Sequence, residues 1–439
     1  MKQNGLTILT AIDPTRIAAL ETLLRALGND VAGQTQIPFK DLTRLHFASW
    51  VVFAAGAGGP QLIFEANFDG DADSFLRQLA QQASTGLSEI YSHCVGFRAG
   101  GGADAVCQYL QAHSVNTDTF YVSCGGFTRD QILRENQLRE KIEAFLGEAR
   151  PGIAPAALRH NIQQFVSHDP ALAWAKQPAQ PYTLFQRLRL RDAVLAVCLL
   201  AGVFGPLLVW GLSLGCRLRV WGAWLLILTG VFAILYGILR RKEATDPSIS
   251  SEPVEDAQPD PAAEEELVGR ENRRPQNHMA SITPVKPGIF RFALLKGVLT
   301  AIELLGRIKY YHGSLSGIPS IHFARWTVIN SGKHLLFLSN FDGSWEHYLG
   351  EFIDEAANGL TAVWSNAVDF PRARNLIQGG ATDEQRFKSY ARRTQLYTQL
   401  WYSAYPYLSV VNIQNNAAIR ARLWGELRGK ELRAWLRRF

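Results

Sequence analysis

The sequence predicts an α+β protein in which one β-α-β-β-α-β unit occurs twice, with a pair of apolar helices between the copies. Three observations carry this reading. Residues 45–70 read LHFASWVVFAAGAGGPQLIFEANFDG, and residues 321–343 read IHFARWTVINSGKHLLFLSNFDG. Around each phrase, runs rich in aromatic and branched residues alternate with segments of helical spacing. Between the copies, residues 193–214 and 220–239 carry no charge at all.

The elements of the first copy follow in order. Leu6 to Ile12 is a short apolar run closed by Asp13-Pro14, which predicts a strand and then a helix start. Ile17, Leu20, Leu24 and Leu27 recur at helical spacing, and Gly28-Asn29 reads as the stop. Phe47 to Phe53 predicts a strand, Gly56 to Pro60 a turn, and Leu62 to Phe68 the returning strand. Phe75, Leu76 and Leu79 share one face of a second helix over 71–84, and 88–97 reads as a final strand.

The second copy repeats these marks. His46-Phe47-Ala48-x-Trp50 matches His322-Phe323-Ala324-x-Trp326, and Asn67-Phe68-Asp69-Gly70 matches Asn340-Phe341-Asp342-Gly343. Leu6 to Ile12 aligns with Ser281 to Val285, and Phe120-Tyr121 with Trp401-Tyr402. Self-similarity of this kind points to duplication. The expected organisation is a first repeat with a helical tail over 1–150, a connector over 151–191 and an apolar hairpin over 192–241. A disordered acidic linker over 242–280 and a second repeat with its tail over 281–425 follow. The β-α-β-β-α-β order is that of the ferredoxin-like unit, which leaves one sheet face bare of helices. A second copy would cover it. The predicted fold class is therefore two tandem ferredoxin-like repeats that form an intramolecular α/β barrel, interrupted by a two-helix transmembrane hairpin.

The two apolar stretches are long enough to cross a hydrocarbon core of about 30 Å. Only Gly215 to Arg219 separates them, so a tight turn is expected. Arg187, Arg189 and Arg191 precede the hairpin, and Arg240, Arg241 and Lys242 follow it. The positive-inside rule then predicts a multi-pass protein of the inner (cytoplasmic) membrane with both termini cytoplasmic, and the lipid bilayer as a partner. The N-terminus enters a strand at once and reads as having no signal peptide. Residues 243–278 are acidic, rich in proline and poor in large apolar residues. Residues 419–439 are basic and amphipathic. They read either as a helix on an anionic leaflet or as a helix packed on the barrel.

With 45 basic and 39 acidic residues and no basic stripe in the repeats, the chain lacks a nucleic-acid footprint. Its five cysteines form no CxxC, which argues against a disulfide framework or zinc site and for a reducing compartment. Residues present in both copies are structural or act twice; polar residues present once mark a single site. Asp69 and Asp342 precede helices and read as N-caps, while Asn67 and Asn340 read as partners of the same turn. Alternation along a strand puts His46 with Trp50, and His322 with Trp326, on one face. That face either lines a cavity between the sheets or holds a satisfied histidine at a strand end. Arg325 stands where the first copy has Ser49; Trp345 and His347 of the second copy and His93 and Cys94 of the first are also unshared, and Arg325 is the most pointed of them.

Tandem ferredoxin-like halves resemble the dimeric α/β-barrel superfamily, and more distantly the dye-decolorising peroxidases within it. The repeated HFA-x-W and NFDG phrases resemble those of a bacterial membrane-associated family of uncharacterised function. The peroxidases' GxxDG motif is not matched: Asn340-Phe341-Asp342-Gly343 lacks the leading glycine, and no proximal haem histidine carries over. The resemblance implies an oxidoreductase, haem-dependent or cofactor-free, acting on an apolar or lipid-like small molecule. His322 or His46 would be ligand or base, Arg325 the polar partner, and Trp326 a wall of the cofactor pocket. The other expectation is a non-catalytic binding or scaffold protein at the membrane.

Overall fold

A computed structural model describes residues 2–31, 33–53, 59–148, 152–178, 183, 188, 194, 214–246, 261–310, 314, 315 and 317–439. The chain begins with strand β1 (Gln3–Ala11), helix α1 (Ile17–Asn29), the hairpin β2 (Leu45–Phe53) and β3 (Gln61–Asp69), and helix α2 (Ala72–Tyr91). Helix α3 (Gly102–Ala112), the short strands β4 (Ser114–Val115) and β5 (Thr119–Val122), and helices α4 (Arg129–Gly147) and α5 (Pro155–His168) complete the N-terminal part. The long helix α6 (Leu214–Thr245) and helix α7 (Pro261–Glu271) lie between the copies. The second copy supplies β6 (Gln276–Pro284), α8 (Ile289–Ile308), β7 (Ile321–Ile329), β8 (His334–Asp342) and α9 (Trp345–Trp364). After it come the hairpin β9 (Ala373–Arg374) and β10 (Gln378–Gly379), α10 (Glu384–Thr394), β11 (Gln395–Leu396), β12 (Thr398–Ser403), α11 (Val410–Ala421) and α12 (Gly429–Leu436).

The fold is α+β, with two antiparallel five-stranded sheets. Their strand orders are β12-β2-β3-β1-β4 and β11-β6-β8-β7-β5. Both sheets stay open and do not close into a barrel. Each outer face is covered by helices. Leu20 and Leu24 of α1 and Phe75, Leu79 and Leu87 of α2 bury against Trp50, Phe64 and Phe68. Leu295 and Leu299 of α8 and Tyr348 and Phe352 of α9 do the same against Trp326, Phe337 and Phe341. The inner faces meet each other: Val51 and Ile63 pack with Ala280, Ile282, Leu336 and Leu338.

Each sheet is completed by the other half of the chain. Strand β5 pairs with β7, setting Phe120 opposite Arg325, and β12 pairs with β2, setting Trp401 opposite Ser49. The predicted units 1–150 and 281–425 thus exchange edge strands instead of folding side by side. Phe120-Tyr121 and Trp401-Tyr402 hold equivalent places in the two sheets.

Several expectations need correction. Residues 88–91, read as a strand, end α2, because Leu87, Ile90 and Tyr91 continue its buried helical face. Beyond the helix, Cys94 forms a bridge with Ile12 and Val95 N donates to Ala11 O. The fourth strand is instead β4, two residues long. The acidic stretch 242–280 is not a plain linker: α6 runs on to Thr245, α7 occupies Pro261–Glu271, and β6 starts at Gln276.

The multi-pass reading is also overturned. Gly215 to Arg219, expected to turn the hairpin, lies inside α6. Leucine and arginine are good helix formers, and one glycine does not break the run. Among the described residues one helix, Leu218–Thr245, is long and apolar enough to cross a membrane. Apart from Val194 and Leu214, the first expected span over 193–214 falls outside the described residues. The C-terminal segment packs on the body: Ile419, Leu423 and Trp435 bury against Leu138 and Ile142 of α4 and Ile162 and Val166 of α5.

Candidate functional site

The polar centre of the molecule lies between the inner sheet faces. Alternation along β3 turns Ile63, Glu65 and Asn67 inward while Phe64 and Phe68 face the helices. On β7 the same alternation turns Phe323 and Arg325 inward and Trp326 outward. Glu65 and Arg325 are both buried. Their charges meet with Arg325 Nη2 3.3 Å from Glu65 Oε1. The guanidinium also donates to Leu6 O at 2.6 Å, Ala66 O at 3.1 Å, Thr7 Oγ1 at 3.1 Å, and Asn67 Oδ1. Gly5 is the residue that leaves room for it, since a Cβ there would stand 2.6 Å from Arg325 Nη2.

The other Glu65 oxygen faces His278 of β6, whose Nε2 lies 2.8 Å from Oε2. Ser49 Oγ sits 3.3 Å from both Glu65 Oε2 and His278 Nε2. Thr398 Oγ1 lies 2.9 Å from His278 Nδ1. Asn67 and Asn340 donate to Glu65 Oε1 at 2.9 and 3.3 Å, and Trp401 Nε1 donates to Asn340 Oδ1 at 2.9 Å. Burial alone would raise the Glu65 carboxyl. Arg325, His278 and Asn67 outweigh burial and hold it down to about 2. Glu65 is therefore a carboxylate at neutral pH. Thr398, His278 and Glu65 form a hydroxyl–imidazole–carboxylate row. His278 and Thr398 line a cavity of about 30 Å³ together with Arg270, Glu271 and Arg274. That space suits a water, not an organic substrate.

The two predicted histidines make a second, paired arrangement. His46 Nε2 lies 3.1 Å from Asp69 Oδ1, and His322 Nε2 lies 2.7 Å from Asp342 Oδ1. The second oxygen of each aspartate accepts a backbone N–H at the start of a tail helix: Arg129 N at 2.8 Å for Asp69, Val410 N at 2.7 Å for Asp342. So neither aspartate caps the helix that follows it. Asp71 and Ser344 hold those caps, accepting from Ser74 N and His347 N. Nor do Asn67 and Asn340 bind the turn; they face Glu65.

The expected His–Trp face does not exist. A β-bulge shifts the register between Leu45 and Phe47, and another between Ile321 and Phe323. The extra residue turns His46 and His322 inward beside Phe47 and Phe323, while Trp50 and Trp326 stay in the outer cores. His46 Nδ1 lies 2.8 Å from Tyr405 Oη, while Nε2 faces Asp69 Oδ1 without a hydrogen bond. His322 Nε2 is held by Asp342 and sits 3.2 Å from Gln276 Nε2, with Phe47 and Tyr405 against the ring. These side chains do not fit a haem: both histidines are buried against aspartates between the sheets, and Trp326 lies across the sheet from them.

Trp326 instead lines an opening on the helix-covered side of its sheet. A cavity of about 400 Å³ opens beside α8 and α9, lined among others by Ile302, Leu305, Trp326, Phe352, Leu360 and Trp364.

Of the predicted residues, Arg325 alone joins the central network. Glu65 and His278 were legible by the same single-copy rule. Leu338 stands where β3 has Glu65, and Gly5 where β6 has His278. His278 was hidden because its strand was read as linker; the Gln3-Asn4 and Gln276-Asn277 pairs mark the true start of both strands. Compared with known proteins, the chain matches no family model, no curated protein and no solved structure.

Proposed function

We propose that this chain is a non-catalytic binding protein held at a lipid bilayer by α6, with two ferredoxin-like halves as its folded body. One observation carries the reading. Helix α6 exposes Leu225, Leu226, Ile227, Leu228, Val231, Phe232, Ile234 and Leu235 around its whole circumference, yet its C-terminal end is bolted to the body. Glu243 accepts Asn375 N at 3.0 Å and Leu376 N at 2.7 Å, and Asp246 pairs with Lys286 and Arg291 at 2.7 Å. An apolar helix exposed on all sides needs a partner of the same polarity. The β4-β1-β3-β2 order, repeated as β11-β6-β8-β7, supports the ferredoxin-like assignment.

The ligand class that suits the body is an apolar small molecule in the groove beside α8 and α9. The test is vesicle flotation of the full chain against Leu226→Asp/Ile234→Asp, paired with Trp fluorescence on titration of a long-chain fatty acid. Flotation lost in the variant, and quenching lost in Leu360→Trp, are the expected results. A wild-type chain that stays with the soluble fraction sinks the anchoring.

A second reading rests on the Thr398–His278–Glu65 row, an acid–base arrangement beside a water-sized cavity. A cofactor-free hydrolytic activity that vanishes in His278→Gln, with the fold retained, would favour it.

A further inference from the structure

The foot of α6 holds a cavity that the anchoring role leaves unexplained. It measures about 470 Å³ and lies between the last turns of α6 and the β9–β10 hairpin. Arg240, Arg372, Arg374 and Gln378 line it, with Glu243 at its floor. Glu243 is already committed: both oxygens accept the 375–376 backbone, and one also pairs with Arg240 at 2.5 Å. That turn is held in the left-handed region, with φ of 53° at Asn375 and 69° at Leu376. It fixes the hairpin and sets Arg372 and Arg374 beside the helix. Arg372 and Arg374 are exposed, and neither has an ion-pair partner among the described residues. Arg241 and Lys242, also exposed, add to the same end.

The position gives this cluster its meaning. The exposed apolar run of α6 ends at Ile238, and the first arginine of the cavity is Arg240. A switch from apolar to cationic within one turn is where a bilayer's hydrocarbon gives way to its headgroups. We propose that this cavity binds the phosphate of an anionic phospholipid headgroup, with Arg372 and Arg374 donating to its oxygens and Arg240 closing the side towards the helix. Arginine suits the task because its planar fork can engage two phosphate oxygens at once. The inference rests on α6 lying in the bilayer. It adds a lipid class and a site to that reading.

The experiment is flotation of the full chain with phosphatidylcholine vesicles, with and without phosphatidylglycerol. Wild type is compared with Arg372→Gln/Arg374→Gln and with Arg433→Gln/Arg437→Gln, which removes two exposed charges far along the chain. The expected result is unchanged binding to phosphatidylcholine and a preference for phosphatidylglycerol that drops about tenfold or more in the 372/374 variant alone. Equal losses in both variants would show diffuse charge attraction and overturn the site. A preference untouched by the 372/374 change overturns it as well. Inorganic phosphate abolishing the preference at matched ionic strength would assign the cavity to free phosphate and overturn the headgroup. Wild type binding neither vesicle would instead remove the anchoring itself, a failure distinct from a lost lipid preference.

Discussion

Arg325 Nη2 lies 3.3 Å from Glu65 Oε1, and the pair joins the two sheets at their buried centre. Each residue comes from a different copy, and its counterpart in the other copy is uncharged. The counterpart of Arg325 is Ser49, and that of Glu65 is Leu338. Removing one charge leaves the other buried and unpaired, which costs about 3–5 kcal/mol. Glu65→Leu and Arg325→Ser should each lower stability by that order. The double variant should recover more than half of the summed loss, because neither charge is then stranded. A double-mutant cycle by urea denaturation measures this. Additive losses would show that the two charges do not act as a pair.

The same carboxylate sets a pH dependence. Its folded-state pKa is depressed from 4.5 to about 2. A depressed acid contributes stability that is fully present above the unfolded value and is lost as pH falls through the folded one. The contribution is on the order of 3 kcal/mol by the usual conversion of pKa shift to free energy. The stability gap between wild type and Glu65→Gln should therefore be constant from neutral pH down to about 5 and then narrow towards pH 2. Thermal melts of both proteins across that range give the answer. A gap that does not change with pH would mean that Glu65 is not ionised in the fold.

Asp69 and Asp342 hold equivalent places. Each lies between a bulge histidine and the first N–H of a tail helix. Loss of a helix N-terminal acceptor costs about 0.5–2 kcal/mol, and a stranded buried imidazole N–H costs about 1–3 more. Asp342→Ala should thus cost roughly 2–4 kcal/mol, and Asp69→Ala less, because no hydrogen bond joins Asp69 Oδ1 to His46 Nε2. Alanine at Asp71, the exposed cap of α2, should cost only about 1 kcal/mol. Denaturation midpoints of the three variants rank them.

How much of this was legible depends on where the signal lies in the chain. The hairpins β2–β3 and β7–β8 could be read because each has a nine-residue run with strong β-formers, and one residue set repeats in both. Which sheet β5 and β12 join could not: strands of four and six residues carry no mark of their partner. Arg325 was legible because it occurs in one copy only. Strand alternation misplaced His46 and His322, because a bulge adds one residue and flips what precedes it. The aspartates were recognised as caps, but sequence proximity pointed to α2 and α9, whereas folding brings α4 and α11 closer. Thr398 and Tyr405 belong to the exchanged tail, so their partners His278 and His46 were out of reach of any local pattern.

The exchange itself has a checkable weak point at Gly28. The sequence marks this glycine as a helix stop, but it lies within α1, beneath β12. A Cβ there would stand 2.4 Å from Gln399 O, a backbone atom that cannot turn aside. Overpacking of this kind costs about 1–3 kcal/mol. Gly350, inside α9, has nothing within 4 Å of the same added atom, so alanine there should be neutral or stabilising by up to about 1 kcal/mol. The damage at Gly28→Ala should also be local. The strain falls on β12, which is an edge strand held by β2 on one side and α1 on its face. Amides of residues 398–403 should therefore exchange with deuterium sooner than those of β2 and β3, while β5 on the opposite sheet keeps its protection. Equal loosening of β5 and β12 would show that the two exchanged strands open as one unit, and that Gly28 guards the whole pairing.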